Sequence, residues 1–279
     1  MSVRLAVTSR GIAKLEGDRA QLLDTDHADL GAALAAGESL ESLAAASVTG
    51  EVGLDQVELS APVATPPQIW AVGLNYRAHV AEIKGMDLKE PFIFPKSPTA
   101  VVGPGDPIEI VPEAGDQVDF EGEMALVIGK RAENVAAADA GDHIAGITIC
   151  NDVSARTLQK GYEGVRANIS MAKSFRTFAP LGPAVAIWSS LPELDGLKLE
   201  TKVDGEVRQS ATLAQMIFRV PELVEFLTAR ITLLPGDIVA TGTPEGVGDV
   251  DGRYLTPGSE VSIELDEVGV LSNPVTKSN

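Results

Sequence analysis

Short apolar runs separated by glycine and proline dominate this chain. Beyond residue 65 they fall at 69–72, 100–102, 108–111, 124–128, 144–150, 184–187, 199–203, 238–241 and 260–265. Runs of this length, bounded by turn formers, predict strands. Clear helical spacing is confined to 76–84 and to 220–229, after Arg219. Strand and helix do not alternate as in a βαβ chain, so the pattern predicts a mixed, β-rich α+β fold. The first 60 residues read differently, with a short strand at 3–7 and one or two short helices at 29–46, around Gly37-Glu38-Ser39. Ala61-Pro62-Val63-Ala64-Thr65-Pro66-Pro67 follows, and its repeated prolines exclude both helix and central strand. The expected division is therefore a small N-terminal domain with its linker, 1–64, and a larger domain, 65–279.

One predicted strand carries charge where a buried strand wants none. In Asp119-Phe120-Glu121-Gly122-Glu123-Met124-Ala125-Leu126-Val127-Ile128, the period of two puts Glu121 and Glu123 on one face with Ala125 and Val127. Met124, Leu126 and Ile128 take the other face. Two carboxylates side by side repel, and they require a cation, a base or a shared proton. A hard divalent ion held by oxygen ligands meets that need. The competing reading is an exposed edge strand with solvated charges. A third carboxylate, Asp152, ends the apolar run Ile147-Thr148-Ile149-Cys150. It either completes one face of a Mg²⁺ or Mn²⁺ site or, with Ser154, caps a helix through Arg156.

Composition narrows the partners. The formal net charge is −18 and the pI about 4.5, which argues against nucleic acid and anionic membrane as partners. No apolar run approaches the roughly 20 residues of a membrane span. The N-terminal stretch breaks off before a signal peptide's apolar core, and Cys150 is the only cysteine, so a cytoplasmic protein without disulfides is expected. Cys150 itself reads as a core residue.

Three further groups could carry chemistry. His79 and Glu82 stand three apart on the predicted helix, where a carboxylate can orient an imidazole as a base; a surface pair is the alternative. Gly85 and the polar stretch to Glu90 would let that helix act as a lid. Lys173, in an otherwise apolar stretch bounded by prolines, is a candidate for carboxylate recognition or a surface lysine. Thr241-Gly242-Thr243-Pro244-Glu245-Gly246-Val247-Gly248 allows close backbone approach to a ligand but lacks the ending of a P-loop.

The ordered set resembles the fumarylacetoacetate hydrolase family over roughly residues 65–275. The pieces are Gly73-Leu74-Asn75-Tyr76 before His79 and Glu82, Asp119-Phe120-Glu121-Gly122-Glu123, Asn151-Asp152-Val153-Ser154-Ala155-Arg156 with Gln159, Lys173-Ser174-Phe175, and Thr241-Gly242-Thr243-Pro244. The resemblance implies a rolled, mixed β-sandwich catalytic domain, a homodimer, and Glu121, Glu123 and Asp152 as Mg²⁺ or Mn²⁺ ligands. It implies His79 and Glu82 as the catalytic pair, with Lys173 beside them. Arg156, Gln159, Lys173 and Thr243 match positions that hold the substrate's carboxylate and oxo groups. The reaction expected first is metal-dependent hydrolysis of a C–C bond in a 2,4-dioxo acid, an acylpyruvate or fumarylacetoacetate-like compound. The alternative at the same site is decarboxylation of an oxaloacetate-like acid or tautomerisation or isomerisation of an unsaturated 2-oxo diacid. A non-catalytic metal-binding protein is a third reading, disfavoured because a structural site needs no base. Met171 and Arg176 depart from the family pattern and are expected to alter the polarity of the pocket.

Overall fold

The computed structural model describes residues 2–83 and 88–278. Its main sheet runs, strand by strand, Val48–Gly53, Arg19–Leu23, Gly11–Glu16, Arg4–Thr8, Ala179–Ile187, Ile144–Asn151, Gly122–Ile128, Ile238–Ala240, Ile69–Gly73 and Phe92–Lys96. A five-stranded sheet, Glu206–Thr212, Lys198–Val203, Glu260–Leu265, Gly269–Lys277 and Ile108–Ile110, packs against it. This is the mixed, β-rich architecture that the apolar runs predict.

Gly122–Ile128 lies inside the main sheet, antiparallel to both neighbours, and every residue in it is buried. The edge-strand reading of Glu121 and Glu123 is thereby excluded. Its two faces enter different cores, as the period of two requires. Met124, Leu126 and Ile128 pack with Leu199, Ile263 and Leu271 of the second sheet and with Leu223 and Leu227 of the helix Val220–Thr228. Ala125 and Val127 pack with Leu30, Leu34, Leu40 and Leu43 of two short helices, Leu30–Ala35 and Leu40–Ala44. Those helices are the ones expected around Gly37-Glu38-Ser39, capped by Asp29 and Ser39. The N-terminal residues join the main sheet through Arg4–Thr8, which pairs with Ala179–Ile187.

Gly122 is a packing requirement. A Cβ there would collide with the Thr201 hydroxyl of the second sheet and crowd Ile263. Gly122→Ala is expected to cost about 1–3 kcal/mol of stability, read as a lowered urea midpoint. An unchanged midpoint would mean that the two sheets are not in close contact at that point.

The sequence pattern missed several strands, among them Gly11–Glu16, Arg19–Leu23, Val48–Gly53, Phe92–Lys96, Glu206–Thr212 and Gly269–Lys277. Most are polar on their outward face, so an apolar run never formed. The helix predicted at 76–84 spans Arg77–Glu82. Lys84 and, of the stretch from Gly85 to Glu90 expected to let the helix act as a lid, residues 85–87 lie outside the described residues. Asp152 does not cap a helix: Ser154–Ala155 pairs with Val118–Asp119, and the helix begins at Arg156.

Candidate functional site

Strand pairing assembles the acidic cluster. Gly122 stands opposite Asn151 and Glu123 opposite Cys150. Just outside the ladder, Glu121 N–H donates to the Asn151 side chain at 3.0 Å and Asp152 N–H donates to the Glu121 carbonyl at 2.8 Å. Glu121, Glu123 and Asp152 are all buried, and one ligand atom from each lies within 4.8 Å of the others.

Neighbouring strands deliver the rest to the same end of the sheet. Ile238–Ala240 leads into the glycine-rich loop, and Ile69–Gly73 leads to the helix with His79. The loop's backbone holds the protein's own carboxylates. Gly242 N–H donates to Glu123 Oε2 at 2.7 Å, Gly246 N–H to Glu82, and Gly248 N–H to Asp119 Oδ1 at 2.8 Å. Gly246 has φ +99°, and a Cβ there would collide with the Arg208 carbonyl.

A cavity of about 450 Å³ opens over this cluster, lined in part by His79, Glu121, Glu123, Arg156, Gln159, Lys173 and Thr243. Every site residue expected from the sequence is therefore here or directly behind. Glu82 backs His79, its Oε1 2.9 Å from Nδ1. In the tautomer that donates from Nδ1 to this carboxylate, Nε2 is left as the acceptor. Asp152 is fully buried beneath Lys173, whose Nζ donates to Asp152 Oδ2 at 2.5 Å and to Glu121 Oε2 at 2.7 Å. Lys173 also sits 5.0 Å from the centroid of the Phe94 ring. It is no surface lysine. Arg156 is engaged with Asp119 Oδ2, Glu121 Oε1 and Gln159 Oε1 at 2.6–2.8 Å. Thr243 Oγ1 donates to the Gly122 carbonyl and accepts from Gln209.

Sequence reasoning missed Lys96. It is buried and donates to Asp152 Oδ1 at 2.5 Å. The signal was available: alternation along Phe92–Lys96 puts Lys96 on the same inward face as Phe94. The role of Asp119 was also missed; it holds Arg156 and accepts from the loop at Gly248 and Asp249. Met171 and Arg176, expected to tune the pocket, are not among its described lining residues. Met171 is exposed, and Arg176 bonds to Glu109 and Ser278 instead. Cys150 is a core residue as expected.

Charges in this cluster do not balance. With every group ionised, Glu121, Glu123, Asp152 and Asp119 against Lys96, Lys173 and Arg156 would leave one negative charge unanswered. Burial would raise Glu121, but Lys173 and Arg156 outweigh it and hold this carboxyl well below its ordinary range. Burial pushes Glu123 well above the ordinary range, and the charges of Asp152 and Glu121 push it further. Burial would lower Lys173, but Asp152 and Glu121 keep it raised and charged. Among the three clustered carboxylates, Glu123 is the one without a salt-bridge partner among the described residues. A buried set of carboxylate oxygens with excess negative charge fits a hard divalent ion, since each oxygen has lone pairs beyond those given to Lys96 and Lys173.

A pH dependence follows. Metal binding needs Glu123 ionised, whereas in the metal-free protein its raised carboxyl holds a proton into the range where an ordinary one has lost it. Binding therefore releases a proton, and apparent Mg²⁺ or Mn²⁺ affinity is expected to climb as pH rises above the ordinary carboxylate range. Calorimetry in buffers of different ionisation heat measures both effects. A flat affinity with no proton release would contradict the assignment of Glu123.

Residues 68–276 match the family described as "Fumarylacetoacetate (FAA) hydrolase C-terminal". The chain belongs to the fumarylacetoacetate hydrolase family. It is 43% identical over 227 residues to "Oxaloacetate tautomerase YisK" of Bacillus subtilis (strain 168), covering 80% of this chain and 74% of that one. Among solved structures, it is similar to the 2-hydroxyhepta-2,4-diene-1,7-dioate isomerase of Mycobacterium marinum. There the TM-score is 0.79 and the identity 34%, covering 100% of this chain and 99% of that one. It is also similar to a fumarylacetoacetate hydrolase of Exiguobacterium antarcticum. There the TM-score is 0.85 and the identity 30%, covering 99% and 100% of the two chains. The match to whole chains includes the N-terminal segment. No described helix is long and apolar enough to cross a membrane.

Proposed function

We propose that this family member is a divalent-metal-dependent tautomerase or isomerase acting on a small 2-oxo dicarboxylic acid of the oxaloacetate kind. The observation that carries the reading is one cavity shared by the acidic cluster and the oriented His79. The tautomerase and isomerase names of its relatives favour this reaction over the hydrolysis expected first. Glu121, Glu123 and Asp152 would hold Mg²⁺ or Mn²⁺, and the bound ion would supply Lewis-acid stabilisation of an enolate oxygen. His79 Nε2 carries one proton between the carbon next to the oxo group and the oxo oxygen, taking it from carbon and giving it to oxygen to form the enol, and the reverse to form the ketone. Glu82 keeps the imidazole in that tautomer and stabilises the charge it gains. Lys173 Nζ–H donates to the oxygen that becomes the enol. Arg156, Gln159 and Thr243 shape the wall against which the acid end lies.

Hydrolysis remains the second reading, favoured by the likeness to a fumarylacetoacetate hydrolase over nearly the whole chain. It would use His79 to deprotonate water instead of carbon. The test is turnover by metal-stripped protein with and without Mg²⁺ or Mn²⁺, on freshly dissolved enol oxaloacetate and on acylpyruvates. Metal-dependent loss of enol absorbance with no change of composition supports the proposal. Metal-dependent appearance of two acids from an acylpyruvate supports hydrolysis, and carbon dioxide release would point to decarboxylation.

A further inference from the structure

The helix Arg156–Lys160 turns three side chains toward the cavity, because positions 156, 159 and 160 share a face at helical spacing. Two of the three are Arg156 and Gln159. The third, Lys160, has no part in the chemistry above. Among the described residues that line the cavity, the lysine and arginine side chains are Arg156, Lys160 and Lys173. Arg156 is tied to Asp119 and Glu121, and Lys173 to Glu121 and Asp152. Lys160 differs. Its ammonium meets Asp249 Oδ1 at 2.5 Å and its side chain is 55% exposed, so donors remain for a ligand.

Asp249 is a replaceable partner. The same Oδ1 also accepts from the Tyr254 hydroxyl at 2.9 Å. It therefore keeps a hydrogen bond when Lys160 turns to another anion. Much of the remaining wall is apolar, including Ile83, Phe92, Ile169 and Val247. A second carboxylate placed against that wall would lose its solvation without a partner.

We propose that Lys160 captures the distal carboxylate of the substrate and makes this site selective for dicarboxylic over monocarboxylic 2-oxo acids. The proposal rests on the reading of the cavity as a 2-oxo-acid site. Asp249 holds the ammonium in place until a diacid arrives and then keeps Tyr254 alone. Lys160 is a specificity-determining residue, distant in role from the proton transfer at His79.

The test uses full-length, Mg²⁺-loaded protein and two acids that cannot enolise. One is dimethyloxaloacetate; the other is trimethylpyruvate, in which a methyl group replaces the distal carboxylate. Calorimetry on wild type, Lys160→Met and Asp249→Asn gives the dissociation constants. Lys160→Met is expected to weaken the diacid about tenfold or more and to leave the monoacid within about twofold. Asp249→Asn, which releases the ammonium, is expected to tighten the diacid and leave the monoacid unchanged. With oxaloacetate as substrate, Lys160→Met should raise KM while kcat stays near wild type. Equal weakening of both acids, or an unchanged diacid, overturns the role of Lys160 while the 2-oxo-acid reading stands. Wild-type protein that binds neither acid overturns that reading, and the Lys160 proposal with it.

Discussion

Replacing His79 with alanine is expected to lower the rate of the proposed tautomerisation by about 10²–10⁴-fold, with metal affinity unchanged. The size follows from what the imidazole alone provides. It is almost wholly buried at the cavity wall, and its Nδ1 is committed to Glu82. Glu82 is in turn fixed by Gly246 N–H, so the ring can neither turn nor shift its proton without breaking that chain. Lys173 is charged and enclosed by carboxylates, which makes it a donor and a poor base. Among the described lining residues, His79 is the only imidazole. Glu82→Gln should cost less, because the imidazole remains and only its orientation and tautomer are loosened. The loss should fall on kcat more than on KM, since His79 acts on the proton in flight and not on the anionic ends of the substrate. Stopped-flow decay of enol absorbance gives the rates, and calorimetry gives the metal affinity. A His79→Ala rate within about twofold of wild type would remove it from the reaction.

Glu123→Gln and Asp152→Asn are both expected to abolish metal-dependent turnover, yet to move the stability of the metal-free protein in opposite directions. Asp152 joins two buried ammonium groups, Lys96 and Lys173. Its neutralisation strands Lys96 and leaves Lys173 with Glu121 alone, at a cost of about 3–5 kcal/mol. Glu123 has the opposite balance. Burial and the charges of Asp152 and Glu121 raise its carboxyl, so the folded metal-free protein holds a proton that the unfolded chain has released. Stability from this group is complete below the ordinary carboxylate range and is lost as pH rises through the raised value. Glutamine removes that loss and still accepts from Gly242 N–H, so Glu123→Gln should stabilise the metal-free protein at pH above the ordinary carboxylate range. Urea unfolding of chelator-treated proteins, with and without added Mg²⁺, separates the two effects. Equal destabilisation by both substitutions would mean that Glu123 has a cationic partner after all. A metal-induced rise in stability that survives Glu123→Gln would remove it from the ligand set.

That Glu121 and Glu123 share a face with Ala125 and Val127 follows from the period of a strand, and the structure shows those faces entering separate cores. That His79 and Glu82 meet follows from the period of a helix. Both are local geometry, legible in consecutive residues, as was the ordered motif set that marks the family. Secondary structure was less legible where strands are short and polar on one face, as in Glu206–Thr212, because their pairing partners and not their own apolar content hold them.

The amino-acid sequence by itself determined which carboxylates stand together, which imidazole has a carboxylate to orient it, and the β-rich class of the fold. Only the tertiary structure decided whether those charges are solvated or buried, and what answers them. Lys96 reaches Asp152 across 56 residues, Lys173 reaches Glu121 across 52, and Gly246 reaches Glu82 across 164. Lys160 finds Asp249 across 89. Spacing within a strand or helix is set by backbone geometry over a few residues, whereas a buried charge is balanced by whichever distant segment the fold packs against it. Coulomb energy depends on separation in space and on the exclusion of water, and neither quantity is written in the local order of residues.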